Sequence, residues 1–349
     1  MSRPHIWIID EEWPDHDLEI EAISAAEPDA VVRESTYDWR QDFDSFGRDA
    51  DAILAQVYAH IPADLISGLT RCKGIAVMGG GFDRIDMQAA GSARIPVCNV
   101  QGYCTEDIAT YVIQAILHHL KPLDRLDATR HDLGWGLPAL STLSPRLTSS
   151  TLHIVGLGRI GSATARLALA MGMRVTATDA RAADNAEAMA PGVEFTDLDR
   201  GLSGADFISL HCPLTPDTVG LIGPRQIDSM KPSAVLINTA RGDLVDERAL
   251  ADALVANRLG GAVLDVVSDE PTHLDSPVFT SPNTLITPHI SYASADSLTE
   301  LRRRATKNLL DMVDGSIPDD CVNAGALARP AVTQPIGSPR THISQSGAH

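Results

Sequence analysis

No run of about 18 apolar residues occurs anywhere in the 349-residue chain, so no segment is expected to cross a membrane as a helix. The mostly apolar stretch from Val112 to Leu117 is soon interrupted by His118 and His119. Cysteine is scarce and unpatterned: Cys72, Cys98, Cys104, Cys212 and Cys321 are odd in number and form no C-x-x-C pair. That usage argues against a disulfide framework or a zinc ribbon and for a reducing compartment. The N-terminal MSRPHIWIIDEEWPD has acids where a secretion signal needs its apolar run, so a cytoplasmic location is expected. Positive charge is also in deficit, with 28 Lys+Arg against 46 Asp+Glu and a formal charge of −18. Binding to a phosphate backbone runs on clustered Lys and Arg, so no nucleic-acid partner is expected. Small anions, which answer to local groups, remain open. The one adjacent histidine pair, His118 and His119, points to different sides of a helix, and no metal site is expected.

The composition is otherwise that of a folded globular chain, 44% hydrophobic and 21% charged, with length for about two domains. Short apolar runs alternate with amphipathic ones. His5–Ile9, Ala30–Glu34, Ala52–Gln56 and Gly74–Met78 read as strands, and Asp17–Ala26 as a helix. Thr105–Leu120 reads as a long apolar helix opened by a Thr cap and acids and stopped by Pro122. A second series follows, with strands at Leu152–Val155, Arg174–Thr178, Phe207–Leu210, Ala234–Asn238, Gly261–Val266 and Thr284–Ile286. Helices are expected at Ile160–Met171, Glu247–Asn257 and Ser297–Val313. The alternation predicts an α/β fold with mostly parallel sheets. Beyond about Asn323 the chain turns rich in Pro, Ser, Gly and Thr, and residues 326–349 read as a disordered tail.

The chemistry-bearing segments sit at strand ends. Gly156-Leu-Gly158-Arg-Ile-Gly161 places G-x-G-x-x-G between a strand and a helix, the pattern that lets a pyrophosphate approach backbone N–H groups. Asp179 closes the next strand, where a carboxylate accepts from ribose hydroxyls and repels a 2′-phosphate, favouring NAD over NADP; Arg181 nearby works against that preference. Arg241, Asp265 with Glu270, and Pro288 with His289 each follow an apolar strand, so all three ends can converge on one crevice. Each has an ordinary reading alone: a surface ion pair, a turn, a loop residue. Together, after a dinucleotide loop, they supply an acid/base, an orienting carboxylate and an anion clamp, which suits hydride transfer to a 2-oxo acid.

From about Asp51 to Asn323 the chain resembles the D-isomer-specific 2-hydroxyacid dehydrogenases. The blocks that carry the likeness are GGGFDRIDMQAA with PVCNVQGYCTEDIA, HIVGLGRIG, FISLHCPLTPDTVGLI with INTARGDLVDERAL, and LDVVSDEP with ITPHI. PVCNV and the ending SADSLTELRRRATKNLLDMVDG are most similar to the branch containing the C-terminal-binding-protein corepressors and their bacterial relatives. The resemblance implies two lobes. A discontinuous substrate lobe, flavodoxin-like, would take residues 1–101 and 292–325, and a Rossmann NAD lobe residues 102–291. It implies catalysis by Arg241, Glu270 and His289, with substrate held by Gly80, Gly81 and Arg241. Cofactor contacts would fall on Gly156, Gly158, Arg159, Ile160, Gly161, Asp179, Cys212, Pro213, Thr218, Thr239, Ala240 and Asp265. The reaction implied interconverts a small 2-oxo acid, such as glyoxylate, hydroxypyruvate or a phosphoglycerate-like compound, with its D-2-hydroxy acid. Glycines are expected at 80 and 81 because a side chain would block the substrate. A homodimer through the helix near Thr105–Leu120 is also implied.

The chain departs from the family pattern in three places. Thr110 and Tyr111 stand where many relatives have an acid and a histidine, which reads as altered packing or altered dimer contacts and not as lost chemistry. Tyr292 stands where small glycines are common and is expected to narrow the substrate mouth. Val77-Met78 lacks an arginine found in the corepressor-like branch, which argues against a second carboxylate or phosphate on the substrate. A non-catalytic, NADH-sensing interaction protein of the corepressor type is the alternative.

Overall fold

The computed structural model describes residues 3–129, 135–137, 143–180, 190–270 and 276–328. Arg181, Pro271 and the stretch from 329 onward lie outside the described residues. Two sheets carry the fold. The first is built from β1 (His5–Ile9), β2 (Val31–Ser35), β3 (Ala52–Gln56), β4 (Ile75–Met78) and β5 (Val97–Cys98). Its order is β2-β1-β3-β4-β5, all parallel, the flavodoxin-like arrangement. The helices that accompany it are α1 (Asp17–Ala26), α2 (Arg40–Ser45), α3 (Ala63–Gly68) and α4 (Met87–Ala93).

After α5 (Thr105–Leu120) and α6 (Leu123–Thr129) comes the second sheet. Its strands are β6 (Thr151–Val155), β7 (Arg174–Thr178), β8 (Glu194–Phe195), β9 (Phe207–Leu210), β10 (Val235–Asn238), β11 (Gly261–Leu264) and β12 (Thr284–Ile286). The order β12-β11-β10-β9-β6-β7-β8 is that of a doubly wound nucleotide fold with one added strand, and every pairing is parallel. Its crossovers include α7 (Arg159–Ala170), α8 (Leu198–Gly204), α9 (Pro224–Ser229) and α10 (Glu247–Val255). The chain then returns through α11 (Ala295–Val313) to the first sheet, where α11 packs on β3, β4, β5 and α1, and ends with α12 (Ala324–Leu327).

Both sheets are covered on both faces, which is why β3, β4, β9, β10 and β11 are buried at every position and read as unbroken apolar runs. The return of α11 is fixed by a two-point ion pair: Arg302 reaches Glu19, which is fully buried on α1, with Nε–Oε1 at 2.7 Å and Nη2–Oε2 at 2.5 Å. Helix α5 carries Val112, Ile113 and Ile116 into the core beneath the second sheet and lies along α7.

Two local expectations need correction. Thr105 is the first residue of α5 and not its cap; Cys104 holds the cap position and makes no side-chain capping bond. Residues 326–328, expected in the tail, are ordered here, since α12 runs to Leu327 and Asn323 bonds it back to Ile95 and Val97; the remainder of the expected tail lies outside the described residues. Among the described residues no helix is long and apolar enough to cross a membrane.

Candidate active site

Between the sheets' carboxyl ends lies a cleft of about 810 Å3, and the loops that follow β3, β4, β6, β10 and β12 all line it. Three strand ends deliver the expected trio. The loop after β10 bends on Asn238, 1% exposed, whose side chain donates to the Arg241 carbonyl (2.8 Å) and accepts from the Ala240 N–H (3.0 Å). Arg241 therefore leaves the sheet in a braced loop. After β11, Glu270 accepts the Val267 N–H at 2.8 Å through Oε1 and holds Nδ1 of His289 at 2.8 Å through Oε2. After β12, His289 sits at φ +53°, a left-handed conformation that costs a non-glycine residue on the order of 1 kcal/mol.

What holds His289 in that conformation is Asp265. Its carboxylate, 1% exposed, accepts the N–H groups of Ile290 (2.9 Å) and Ser291 (2.8 Å) and the hydroxyl of Thr287 (2.5 Å). Its carbonyl accepts the His289 N–H at 2.8 Å. Thr287 in turn shares a 2.5 Å hydrogen bond with the Tyr111 hydroxyl, so α5 is tied to the histidine loop. Tyr111, noted above only as a packing change, thus belongs to the support of the site.

With Nδ1 engaged, Nε2 of His289 has no hydrogen-bond partner among the described residues, and His289 lines the cleft together with Arg241, Gly80 and Gly81. Gly81 is needed for a different reason from the one expected. A Cβ there would come within 1.7 Å of Nη2 of Arg241, so it is the guanidinium, not the substrate, that a side chain would displace. At Gly80 an added Cβ meets nothing nearer than the Val100 carbonyl at 3.8 Å. Asp83 accepts from Nε and Nη2 of Arg241 at 3.0 and 2.9 Å. Burial pushes the Asp83 carboxyl up, but the Arg241 charge and hydrogen bonds outweigh it and hold the group below the usual carboxylate range.

Sequence reasoning passed over Asp83, although it lies within the quoted GGGFDRID block. It also passed over Tyr58, whose hydroxyl lies 2.9 Å from Nδ1 of His289 and whose ring meets the imidazole edge-on at 5.7 Å. Tyr292 does reach the cleft, with its ring 6.2 Å from that of His289 and 6.2 Å from that of Tyr103. Thr110 is exposed.

The glycine loop has the geometry a dinucleotide needs. Gly156 turns at φ +95°, with an added Cβ only 2.6 Å from the Cys212 nitrogen, and a Cβ on Gly161 would strike the Gly156 carbonyl oxygen at 2.2 Å. Gly158, at the start of α7, has nothing within 4 Å of its would-be Cβ. The loop is thus tight where helix meets strand and open where a pyrophosphate would lie at a helix N-terminus. Asp179 accepts the Leu157 N–H at 2.7 Å, which puts its carboxylate beside the same loop. Arg159, Ile160, Cys212, Pro213, Thr239 and Ala240 line the cleft, and the buried Thr239 hydroxyl has no hydrogen-bond partner. Thr218 and Asp265 are not among the lining residues: Thr218 folds its own loop by bonding Thr215 and Pro213. Among the described residues no cluster of His, Cys, Asp and Glu could hold a metal ion.

An imidazole braced by a carboxylate, a guanidinium beside a glycine loop and an open dinucleotide turn can bind an organic anion and exchange a proton with it next to a nicotinamide. Comparisons with known proteins identify the family. Residues 113–291 match the family model described as "D-isomer specific 2-hydroxyacid dehydrogenase, NAD binding domain". A glyoxylate reductase of Thermofilum pendens is 34% identical over 304 residues, covering 86% of this chain and 89% of that protein. A hydroxypyruvate reductase of Blautia hydrogenotrophica is 32% identical, covering 79% and 85%. The structure of a D-lactate dehydrogenase from Aquifex aeolicus, complexed with NAD and lactic acid, superposes with a TM-score of 0.78 at 28% identity, covering 89% of this chain and 96% of that one. With these matches spanning both sheets, the chain belongs to the D-isomer specific 2-hydroxyacid dehydrogenase family and is an NAD-dependent oxidoreductase acting on CH–OH groups.

Proposed function

We propose that this chain reduces a small 2-oxo acid to its D-2-hydroxy acid, with Arg241, Glu270 and His289 as the reacting and binding groups. The observation that carries the reading is the Glu270–His289 pair at 2.8 Å, with Nε2 facing the cleft that Arg241 and the Gly80–Gly81 loop also line. Substrate carboxylate is held by the N–H groups of Gly80 and Gly81 and by Arg241, each charge-assisted bond worth about 1.5–3 kcal/mol. Arginine serves better than lysine because its planar fork reaches the carboxylate and the oxo oxygen together. The substrate carboxylate competes for that fork with Asp83, so Asp83 also limits where the guanidinium can point.

His289, protonated, donates from Nε2 to the oxo oxygen, while Glu270 stabilises the imidazolium through Nδ1. In the oxidative direction the neutral ring removes the hydroxyl proton. Bound NADH supplies the hydride. The residues fitted to hold it are Gly156, Gly158, Arg159, Ile160 and Gly161 at the pyrophosphate, Asp179 at the ribose, and Cys212, Pro213, Thr239 and Ala240 along the cleft wall. Asp265, expected to meet the nicotinamide amide, instead serves by fixing the His289 loop. Thr218 serves indirectly, by shaping the Cys212–Pro213 loop.

The proposal extends to a cytoplasmic homodimer. Its seam is placed at α5 (Thr105–Leu120), and just beyond that helix Leu123 is an apolar side chain left 73% exposed. The test of the function is NADH oxidation, followed at 340 nm, with glyoxylate, hydroxypyruvate and pyruvate. Turnover of at least one supports the reading. Tight NADH binding without turnover of any 2-oxo acid overturns it in favour of a nucleotide-sensing protein.

A further inference from the structure

Strand β5 is the edge of the first sheet, and the chain that follows α11 runs back along it in the opposite direction. The Val322 N–H donates to the Val97 carbonyl at 2.9 Å, and the Asn99 N–H to the Asp320 carbonyl at 3.4 Å. Those two bonds flank Cys98 and Cys321, which therefore face each other as a non-hydrogen-bonded antiparallel pair. In such a pair the Cα atoms lie about 4.5 Å apart and the two side chains share one face of the sheet. A disulfide needs Cα atoms roughly 4.4–6.8 Å apart, so the backbone already stands at bridging distance.

The sulfurs are placed to match. Both are free thiols in the apolar cluster beneath α11, with Cys98 fully buried and Cys321 half-buried. The Cys98 sulfur lies 3.6 Å from Met312 Sδ and within hydrogen-bond reach of the Cys321 thiol, while Cys321 donates to Asn323 Oδ1 at 3.3 Å. Burial, and then the Cys321 thiol beside it, push the Cys98 thiol up, so Cys98 stays protonated and out of reach of a solvent oxidant. The backbone around the pair is fastened on both sides. Asn323 accepts the Val97 N–H and donates to the Ile95 carbonyl, each at 2.9 Å. Arg304 grips the Asp320 carboxylate at 2.9 and 3.1 Å and the Gln101 carbonyl at 3.0 Å. Side-chain rotation is then enough to bring the sulfurs to the disulfide bond length of about 2.05 Å.

We propose that Cys98 and Cys321 are an oxidation site, closing to a reversible disulfide when the protein meets hydrogen peroxide. Cys321, the half-buried member, reacts first: its sulfur takes one peroxide oxygen, the O–O bond breaks, and one water leaves behind a sulfenic acid. The Cys98 sulfur then displaces the hydroxyl from that sulfur, and the S–S bond forms. The Cys98 proton leaves with the hydroxyl as a second water. The two thiols give up two electrons, and the peroxide is reduced to two waters. Because Cys98 is already in contact, the sulfenic acid is captured before it oxidises further. In a reducing compartment the pair rests as the dithiol, and a thiol reductant reopens it. Closing ties the segment after α11 to β5 next to Asn99, whose Nδ2 holds the Gly80 carbonyl at 2.6 Å, and so stiffens the base of the substrate loop. The inference does not depend on which 2-oxo acid is reduced.

The experiment uses the full-length protein, fully reduced and then exposed to hydrogen peroxide. Free thiols are alkylated under denaturing conditions, peptides are mapped by mass spectrometry, and thermal melts are recorded before and after. Fragmentation separates Cys98 from Cys104, which shares its tryptic peptide. A link between Cys98 and Cys321 is expected, with the other three cysteines still alkylated. The melting midpoint should rise by at least about 5 °C and return on adding dithiothreitol, since a cross-link closing a long loop restricts the unfolded chain. In Cys321→Ser neither the link nor the rise should appear. Cys321 advancing to sulfinic or sulfonic acid while Cys98 stays alkylatable overturns the proposal. So does a midpoint that oxidation leaves unchanged, or one that rises equally in Cys321→Ser.

Discussion

Gly81→Ala tests the anion clamp without replacing any charged residue. The added Cβ would lie 1.7 Å from Nη2 of Arg241, 3.0 Å from its central carbon and 3.1 Å from Asp83 Oδ1. Ordinary contact begins near 3.4 Å, so the guanidinium end moves by roughly 1.7 Å. The displaced atom is the tip of a flexible side chain, so the backbone has no reason to shift, and the thermal midpoint should stay within a few degrees of wild type. A displacement of that size breaks a hydrogen bond of normal length. Losing one charge-assisted bond to the substrate carboxylate costs about 1.5–3 kcal/mol, or roughly 10- to 150-fold in kcat/KM. Steady-state kinetics on Gly81→Ala, Arg241→Ala and the double variant give the coupling. In the Arg241→Ala background, Gly81→Ala should cost almost nothing, since the group it displaces is gone. Wild-type kcat/KM in Gly81→Ala, or a full additive loss in the double variant, would refute the assignment of Arg241 as the clamp.

Removing the Tyr111 hydroxyl by Phe frees Thr287 and loosens the His289 loop; a stability loss of about 1 kcal/mol by urea unfolding is expected, with kcat falling more than KM rises. Gly158→Ala should fold normally but weaken NADH binding more than tenfold in a fluorescence titration, since its Cβ enters only open space. Gly161→Ala should instead lower the melting temperature by several degrees, because its Cβ meets backbone at 2.2 Å. His153 is fully buried between Thr176 and Thr178, and burial pushes its pKa down to about 4. The unfolded chain, titrating near 6.5, binds more protons between those values, so stability is full above about pH 6.5 and is lost as pH falls toward 4. By pH 5 the loss from this one group reaches up to about 2 kcal/mol, and melts of His153→Gln should show a shallower decline below pH 6.5 than wild type.

Strands buried on both faces announce themselves as apolar runs, so β1, β3, β6, β9 and β10 were legible to within a residue. β5 and β8 were not, because a two-residue strand has no period and exists only by pairing with β4 and β7. The same divide runs through the site. Arg241, Glu270 and His289 were readable because each follows a strand in the sheet that also bears the glycine loop. Tyr58 and Asp83 follow strands of the other sheet, and the Tyr58–His289 contact joins positions 231 residues apart, a pairing set by how the two sheets face one another. No local pattern encodes that. Asp265 shows a third case: it was legible as a polar group at a strand end, yet its bonds to Ile290, Ser291 and Thr287 make it the brace of the histidine loop.

The central claim is that His289, oriented by Glu270, moves the proton. Single-turnover reduction of glyoxylate by His289→Gln, with NADH affinity measured in parallel, tests it most directly. A positioned acid/base contributes roughly 100- to 10,000-fold. A loss of that size in the chemical step is expected, with NADH binding within threefold of wild type. A chemical step as fast as the wild-type enzyme's would contradict it.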